Sequence, residues 1–243
     1  MIVLVTDFGL EGPYIGQILR VLHEQAPGRQ VINLFADAPM WNPKATAYLL
    51  AAYIQGFGSG TVFLCVVDPC VGTHAHTPVV TQCDGLWFVG PDNGLFELVR
   101  RRASQTATWR IAWQPQALSA SFHGRDLYAP VAARVAGGDH CGLTVHAPLR
   151  FANWPEDLSE IVYIDNYGNA MTGIRAGSIS HTAMLQLKGF QLRCARTFAS
   201  VPQGAPFWYE NSNGLVEIAV NQGHAAGVLG LTIGEELRID DPA

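Results

Sequence analysis

The chain has 243 residues, of which 49% are hydrophobic and 14% charged, with a formal net charge of −5 at pH 7. That is enough apolar material for a packed core, which excludes a disordered chain, and the lack of a basic surplus argues against nucleic acid as a partner. The cysteines (Cys65, Cys70, Cys83, Cys141 and Cys194) are odd in number with no CxxC pair, so neither a secreted disulfide scaffold nor a zinc ribbon is expected, and a reducing cytoplasm fits.

Ile2 to Thr6 is a short β-branched apolar run, expected as a central parallel strand rather than a signal peptide, since no basic region precedes it. Pro13 can open a helix whose apolar stripe is Ile15, Ile18, Leu19 and Leu22. Val31 to Phe35 is the next strand, and Pro43 starts a helix that packs through Ala45, Leu49, Ala52 and Tyr53. Thr61 to Val67 and Leu86 to Val89 are further strands, Gly94 to Arg102 a further helix, and Arg125 to Ala136 a last one closed by Gly137-Gly138. Arg100-Arg101-Arg102 reads as a solvated helix end, where cations suit the helix dipole. The alternation predicts an α/β domain over residues 1–150 with a mainly parallel sheet. Pro148, Asn153 and Pro155 mark a linker. The short runs at 160–164, 183–187, 216–220 and 235–239 predict a small, mostly antiparallel β domain over 151–243. No apolar run is long enough to cross a membrane.

Ligands of open parallel sheets sit beyond the C-terminal ends of strands. Asp7, in Asp7-Phe8-Gly9, and Asp68, ahead of Gly72, stand at two such ends, and Gly90-Pro91-Asp92-Asn93-Gly94 at a third. One acid alone would be read as a cap or a turn; the gathering favours a site. His123, in Ser121 to Asp126, is a candidate base, water-positioning group or metal ligand. Asp165-Asn166-Tyr167-Gly168-Asn169 reads alone as a turn. Gly56 to Gly60 precedes a strand, not a helix, so a phosphate cradle is not expected there.

Taken in order, Thr6 to Gly9, Pro13 to Gly16, Val67-Asp68-Pro69 with Val71-Gly72-Thr73, Gly90 to Leu95, Ser121 to Asp126, Asp165 to Thr172 and Ser212 to Ala219 resemble the adenosine-forming S-adenosyl-L-methionine hydrolases, also called hydroxide adenosyltransferases, relatives of fluorinase and chlorinase. The resemblance implies an N-terminal α/β domain and a C-terminal β-barrel. It implies a homotrimer with each site between one subunit's first domain and a neighbour's second. It implies hydrolysis at ribose C5′, to adenosine and L-methionine, with no metal and no further cofactor. Asp7, with Phe8 beside it, would hold the ribose hydroxyls, and Trp41 would pack near the ribose and sulfonium. Asp165 and Asn169 would hold the methionine ammonium and the adenine edge, Phe198 would stack on adenine, and Ser212 would meet the methionine carboxylate. Asp68 and His123 match two members of a water-holding triad of aspartate, arginine and histidine. The halogenases carry tyrosine in place of that aspartate, so Asp68 points to water.

The triad arginine would fall at position 75, where this chain has Ala75 between His74 and His76; Gly12 and Asn213 also depart from the family's pattern. In an extended stretch His74 and His76 would face away from the side of Ala75. Two other readings follow. One is a protein that binds S-adenosylmethionine with weak turnover. The other is a metal-dependent hydrolase using His74, His76, His123 and Asp68.

Overall fold

The computed structural model describes residues 1–240. The chain divides into two compact units, one of Met1–Ala47 and Gly56–Phe151, the other of Tyr48–Gln55 and Ala152–Ala243. Among the described residues no helix is long and apolar enough to cross a membrane.

The first unit begins with β1 (Ile2–Thr6), α1 (Tyr14–Gln25), β2 (Val31–Phe35) and α2 (Pro43–Tyr53), whose second half counts with the other unit. It continues with β3 (Val62–Val66), β4 (Pro78–Cys83), β5 (Leu86–Pro91), α3 (Glu97–Arg102), β6 (Thr106–Ile111), α4 (Ala129–Ala136) and β7 (Leu143–Val145). These strands form one seven-stranded sheet in the order β2-β1-β3-β5-β4-β6-β7. The pairings β1–β2, β1–β3 and β3–β5 are parallel, and β4–β5, β4–β6 and β6–β7 are antiparallel. The sheet is therefore more mixed than the sequence suggested, because β4, β6 and β7 were not foreseen. A signal for β4 was available: Asp84-Gly85, both at positive φ (46° and 86°), is the two-residue turn that hairpins favour.

Apart from Thr6 at the end of β1, β1 and β3 are apolar, and both are buried at every position, as suits central parallel strands covered on both faces. They run in register, Thr6 opposite Val66, so the residues that follow them emerge side by side at one edge of the sheet. Ile18, Val21 and Leu22 of α1 join Val131, Ala132 and Val135 of α4 in the core beneath that edge. The helix expected over 125–136 is broken into a π-helical turn, Gly124–Tyr128, followed by α4. Pro130 explains the break, since it has no N–H to continue the α-helical ladder.

In the second unit, β8 (Leu158–Ile164), β9 (Ala170–Arg175), β10 (Met184–Leu187), β11 (Phe190–Arg193), β12 (Pro206–Glu210) and β13 (Leu215–Val220) precede the short helix α5 (Ala225–Leu229) and β14 (Arg238–Asp240). They form two antiparallel sheets, β12-β13-β9-β8 and β11-β10-β14. Single bridges, Glu160 to Glu236 and Cys194 to Trp208, link the sheets at both edges. Trp208 is fully buried and donates from its indole Nε1 to the Ala183 carbonyl at 3.1 Å. It packs with Leu185, Leu192, Val216 and Ile218 in a core of this unit's own.

Candidate functional site

Asp7 and Asp68 follow the C-terminal ends of two in-register parallel strands, one directly and one after Val67. Both line a cleft of about 410 Å³ with Phe8, Trp41, Phe122 and His123. Asp7 Oδ2 accepts the Trp41 amide at 3.0 Å. That bond holds Trp41 at φ 56°, a left-handed conformation that costs a bulky residue about 1–3 kcal/mol, and the indole stays 71% exposed. Burial raises the Asp7 carboxyl above its ordinary value; the Trp41 amide opposes this, and the charge on Asp68 adds to it. Phe8, Tyr14 and Phe122 form a triangle of rings with centroids 5.3 to 6.1 Å apart. Gly124 packs closely against these rings, since a Cβ would stand 3.0 Å from Phe8 Cζ. The cleft thus offers two carboxylates and the faces of aromatic rings, surroundings that suit a cation.

Asp68 and His123 also line a second, more polar cavity of about 570 Å³, together with His74, His76, Arg110 and Tyr128. Asp68 Oδ1 accepts the Cys70 amide at 3.1 Å and lies 3.1 Å from His76 Nδ1. The stretch from Cys70 to His76 is a run of turns, not an extended segment. The alternation expected of an extended stretch, with His74 and His76 facing away from the side of Ala75, therefore does not apply. His123 precedes the π-helical turn, which is tied down by Asp126. Asp126 accepts from Arg125 Nε at 2.6 Å and from the Ser119 amide at 2.9 Å, and Arg125 holds its carboxyl below the ordinary range.

The second unit has a cleft of about 820 Å³, lined by Asp165, Asn169, Phe198 and Ser212 with Tyr53, Tyr209, Asn211 and Glu217. Asp165 accepts from the amides of Tyr167 and Asn169 at 2.9 and 2.8 Å and from Asn169 Nδ2 at 3.1 Å. It is both the turn former and a wall of the cleft. Phe198 packs edge-on against Phe207 and Tyr209, with centroids 5.3 Å away in each case. Ser212 is exposed and bonds to Asn213 Oδ1 at 3.1 Å. The predicted site residues therefore fall into two sets, Asp7, Phe8, Trp41, Asp68 and His123 on one unit and Asp165, Asn169, Phe198 and Ser212 on the other.

Family comparison assigns residues 2–143 to the SAM hydroxide adenosyltransferase N-terminal domain and residues 159–238 to the C-terminal domain. The chain belongs to the SAM hydroxide adenosyltransferase family. Among this family's members, the (R)-S-adenosyl-L-methionine hydrolase of Thermus thermophilus is 37% identical over 97% of each chain. A hydrolase of the same name from Salinispora arenicola is 33% identical, over 96% of this chain and 95% of its own. A solved structure of a conserved protein from Thermotoga maritima superposes with a TM-score of 0.88 at 27% identity, covering 99% of this chain and 100% of that one.

Against this family background, three readings change. Gly90 to Gly94 does not line the acid cleft; Asp92 is buried and accepts the Leu149 amide at 2.8 Å, and Asn93 Nδ2 donates to the Val67 carbonyl at 2.8 Å. The segment is a brace, not a third ligand group. Arg100 is not a solvated helix end. It is buried, donates to Glu97 Oε2 at 3.1 Å and to the Leu149 carbonyl at 2.7 Å, and lies 3.4 Å from Asp92. His74, His76, His123 and Asp68 share a cavity, but only His76 and Asp68 bond to one another. Among the described residues no group of three or more His, Cys, Asp or Glu side chains is placed to hold a metal ion. The residues missed by sequence include Tyr14, Phe122, Tyr209, Asn211 and Glu217. Glu217 had a signal, a single charge inside the apolar run from Leu215 to Val220.

Proposed function

We propose that the protein splits S-adenosyl-L-methionine with water at ribose C5′, giving adenosine and L-methionine. The observation that carries this reading is the pair of carboxylates, Asp7 and Asp68, beside His123 and aromatic rings in one cleft. A sulfonium suits such surroundings, and adjacent ribose hydroxyls can both donate to one carboxylate. In the reaction the water oxygen bonds to C5′ as the C5′–S bond breaks. The electron pair stays on sulfur, which leaves as a neutral thioether and needs no acid. Asp68 takes the proton lost by the water, and His123 fixes the water's approach. In-line placement of this kind supplies about 7–11 kcal/mol of barrier reduction. As written, the reaction draws on no metal and no further cofactor.

Asp7 and Phe8 hold the ribose side, with Trp41 over the sulfonium. Asp165, Asn169, Phe198 and Ser212 take the adenine and the amino-acid end. We take residues 1–150 and 151–243 as the two functional domains, with the second closing as a barrel through the bridges at Glu160 and Cys194. The division of polar groups between two clefts supports a homotrimer whose sites pair the first domain of one copy with the second of its neighbour. The five unpaired cysteines fit the cytoplasm.

The test is incubation with S-adenosylmethionine and chromatography of the products. Adenosine and methionine in equal amounts are expected; ligand bound without turnover would leave a binding protein. Sedimentation would separate a trimer from a monomer.

A further inference from the structure

We propose that His76 is a positioning residue, one that holds Asp68 in the rotamer that receives the water's proton; this rests on the hydrolase reading above. The turn leading to His76 is chained to the acid it serves. Cys70 donates its amide to Asp68 Oδ1, Thr73 Oγ1 donates to the Cys70 carbonyl at 2.7 Å, and the Ala75 amide donates to Thr73 Oγ1 at 3.2 Å. Gly72, at φ 80°, presses this turn against the loop before His123. A Cβ there would lie 2.1 Å from the Ala120 carbonyl oxygen, so no other residue fits without moving backbone. The outcome of these constraints is the contact between His76 Nδ1 and Asp68 Oδ1. A carboxylate in that contact can only accept, so Nδ1 carries the proton.

The two cavities give the contact its meaning. His76 lines the 570 Å³ cavity and not the acid cleft, whereas Asp68 lines both. The histidine therefore grips the acid from behind, away from Asp7 and Trp41. Asp68 Oδ1 is occupied by His76 and the Cys70 amide, while Oδ2 accepts no hydrogen bond among the described residues. One oxygen anchors the carboxylate and the other is left to a water. As C5′–O forms and C5′–S breaks, the water's proton passes to Oδ2. His76 keeps its own proton throughout, and Asp68 releases the transferred one to solvent.

The test compares His76→Ala, His76→Asn and His76→Gln by steady-state kinetics, with adenosine affinity measured alongside. The Asn amide can reach the place of Nδ1, whereas that of Gln overshoots it. His76→Ala and His76→Gln are expected to lower kcat about 10- to 100-fold, the scale of a small misplacement of a reacting group. KM and adenosine affinity should stay put, and His76→Asn should recover most of the rate. His76 lies on a surface turn, and the melting temperature of each variant reports whether folding has changed. If His76→Ala fails to fold, the Asn and Gln pair decides alone. A wild-type kcat in His76→Ala or His76→Gln, a raised KM at unchanged kcat, or His76→Asn as slow as His76→Gln would overturn the assignment. An inactive wild-type protein would instead overturn the hydrolase reading, and this inference with it.

Discussion

The clefts of the two units use their acids in opposite ways. In the first unit, Asp7 and Asp68 sit close enough for one charge to disfavour the other, and Asp68 keeps an oxygen without a protein donor. In the second, Asp165 is met by three donors, and Glu217 accepts from the Tyr209 hydroxyl at 2.6 Å and Asn211 Nδ2 at 2.9 Å. An under-coordinated carboxylate can take a proton or a new hydrogen bond. One with a donor on each oxygen fixes the shape of a wall. The first cleft is therefore suited to chemistry and the second to recognition, and substitutions should separate the two.

The largest effect is expected from Asp68→Ala. Loss of a proton acceptor should slow hydrolysis about 10²- to 10⁴-fold, while calorimetry with adenosine finds affinity nearly intact. A mutant that turns over normally would remove Asp68 from the reaction and erase the contrast between the clefts.

Asp7→Asn should instead act on binding. A carboxylate shared by two hydroxyls makes charge-assisted bonds worth about 1.5–3 kcal/mol each, so adenosine should bind at least about tenfold more weakly. Because burial raises the Asp7 carboxyl, wild-type affinity should begin to fall at a pH above the ordinary aspartate range as the solution is acidified. Titration calorimetry across pH would show this, and Asp7→Asn should flatten the dependence. A slope that survives in the variant belongs to another group.

Glu217→Gln tests the second cleft through stability. Burial raises the Glu217 carboxyl above the ordinary glutamate range, against the bonds from Tyr209 and Asn211. The native state then holds a proton that the unfolded chain has already lost. Stability from this group is full below the unfolded value and is lost as pH rises through the native one. Melting temperatures of wild type and Glu217→Gln should therefore converge at acid pH and differ above it, with the neutral amide the less pH-dependent. Curves of identical shape would mean that Glu217 is not the group responsible.

The smallest effect is expected from Ala75→Arg. With His76 already bonded to Asp68, an arginine on this exposed turn adds a second donor where one suffices, and kcat should change less than about threefold. A large gain in rate would mean that the histidine does not fill the role given to it.

Much of this was readable from sequence, for reasons that differ by region. β1 and β3 announce themselves because a strand buried on both faces is apolar along nearly all its length, and the acids just beyond them fall where open sheets bind ligands. The roles proposed for Asp165, Asn169, Phe198 and Ser212 were not legible from composition or spacing, since each is an ordinary turn or loop residue alone; only the resemblance singled them out. The antiparallel strands β4, β6 and β7 escaped because none of them alternates cleanly between buried and exposed positions. Arg100 was misjudged because the Leu149 carbonyl that it meets lies 49 residues along the chain, out of reach of any local pattern. The direction of His76 could be read from sequence only for an extended stretch, and that alternation is void in a turn. Local pattern fixes what is locally determined; a turn's side-chain directions depend on glycines such as Gly72 and on what they press against.

The central claim, attack of water on ribose C5′, is tested most directly by running the reaction in water labelled with heavy oxygen and analysing both products by mass spectrometry. The account requires one labelled oxygen in adenosine, at the 5′-hydroxyl, and none in methionine, with Asp68→Ala giving neither product at a comparable rate. Label in methionine, or adenosine formed without label, would contradict it.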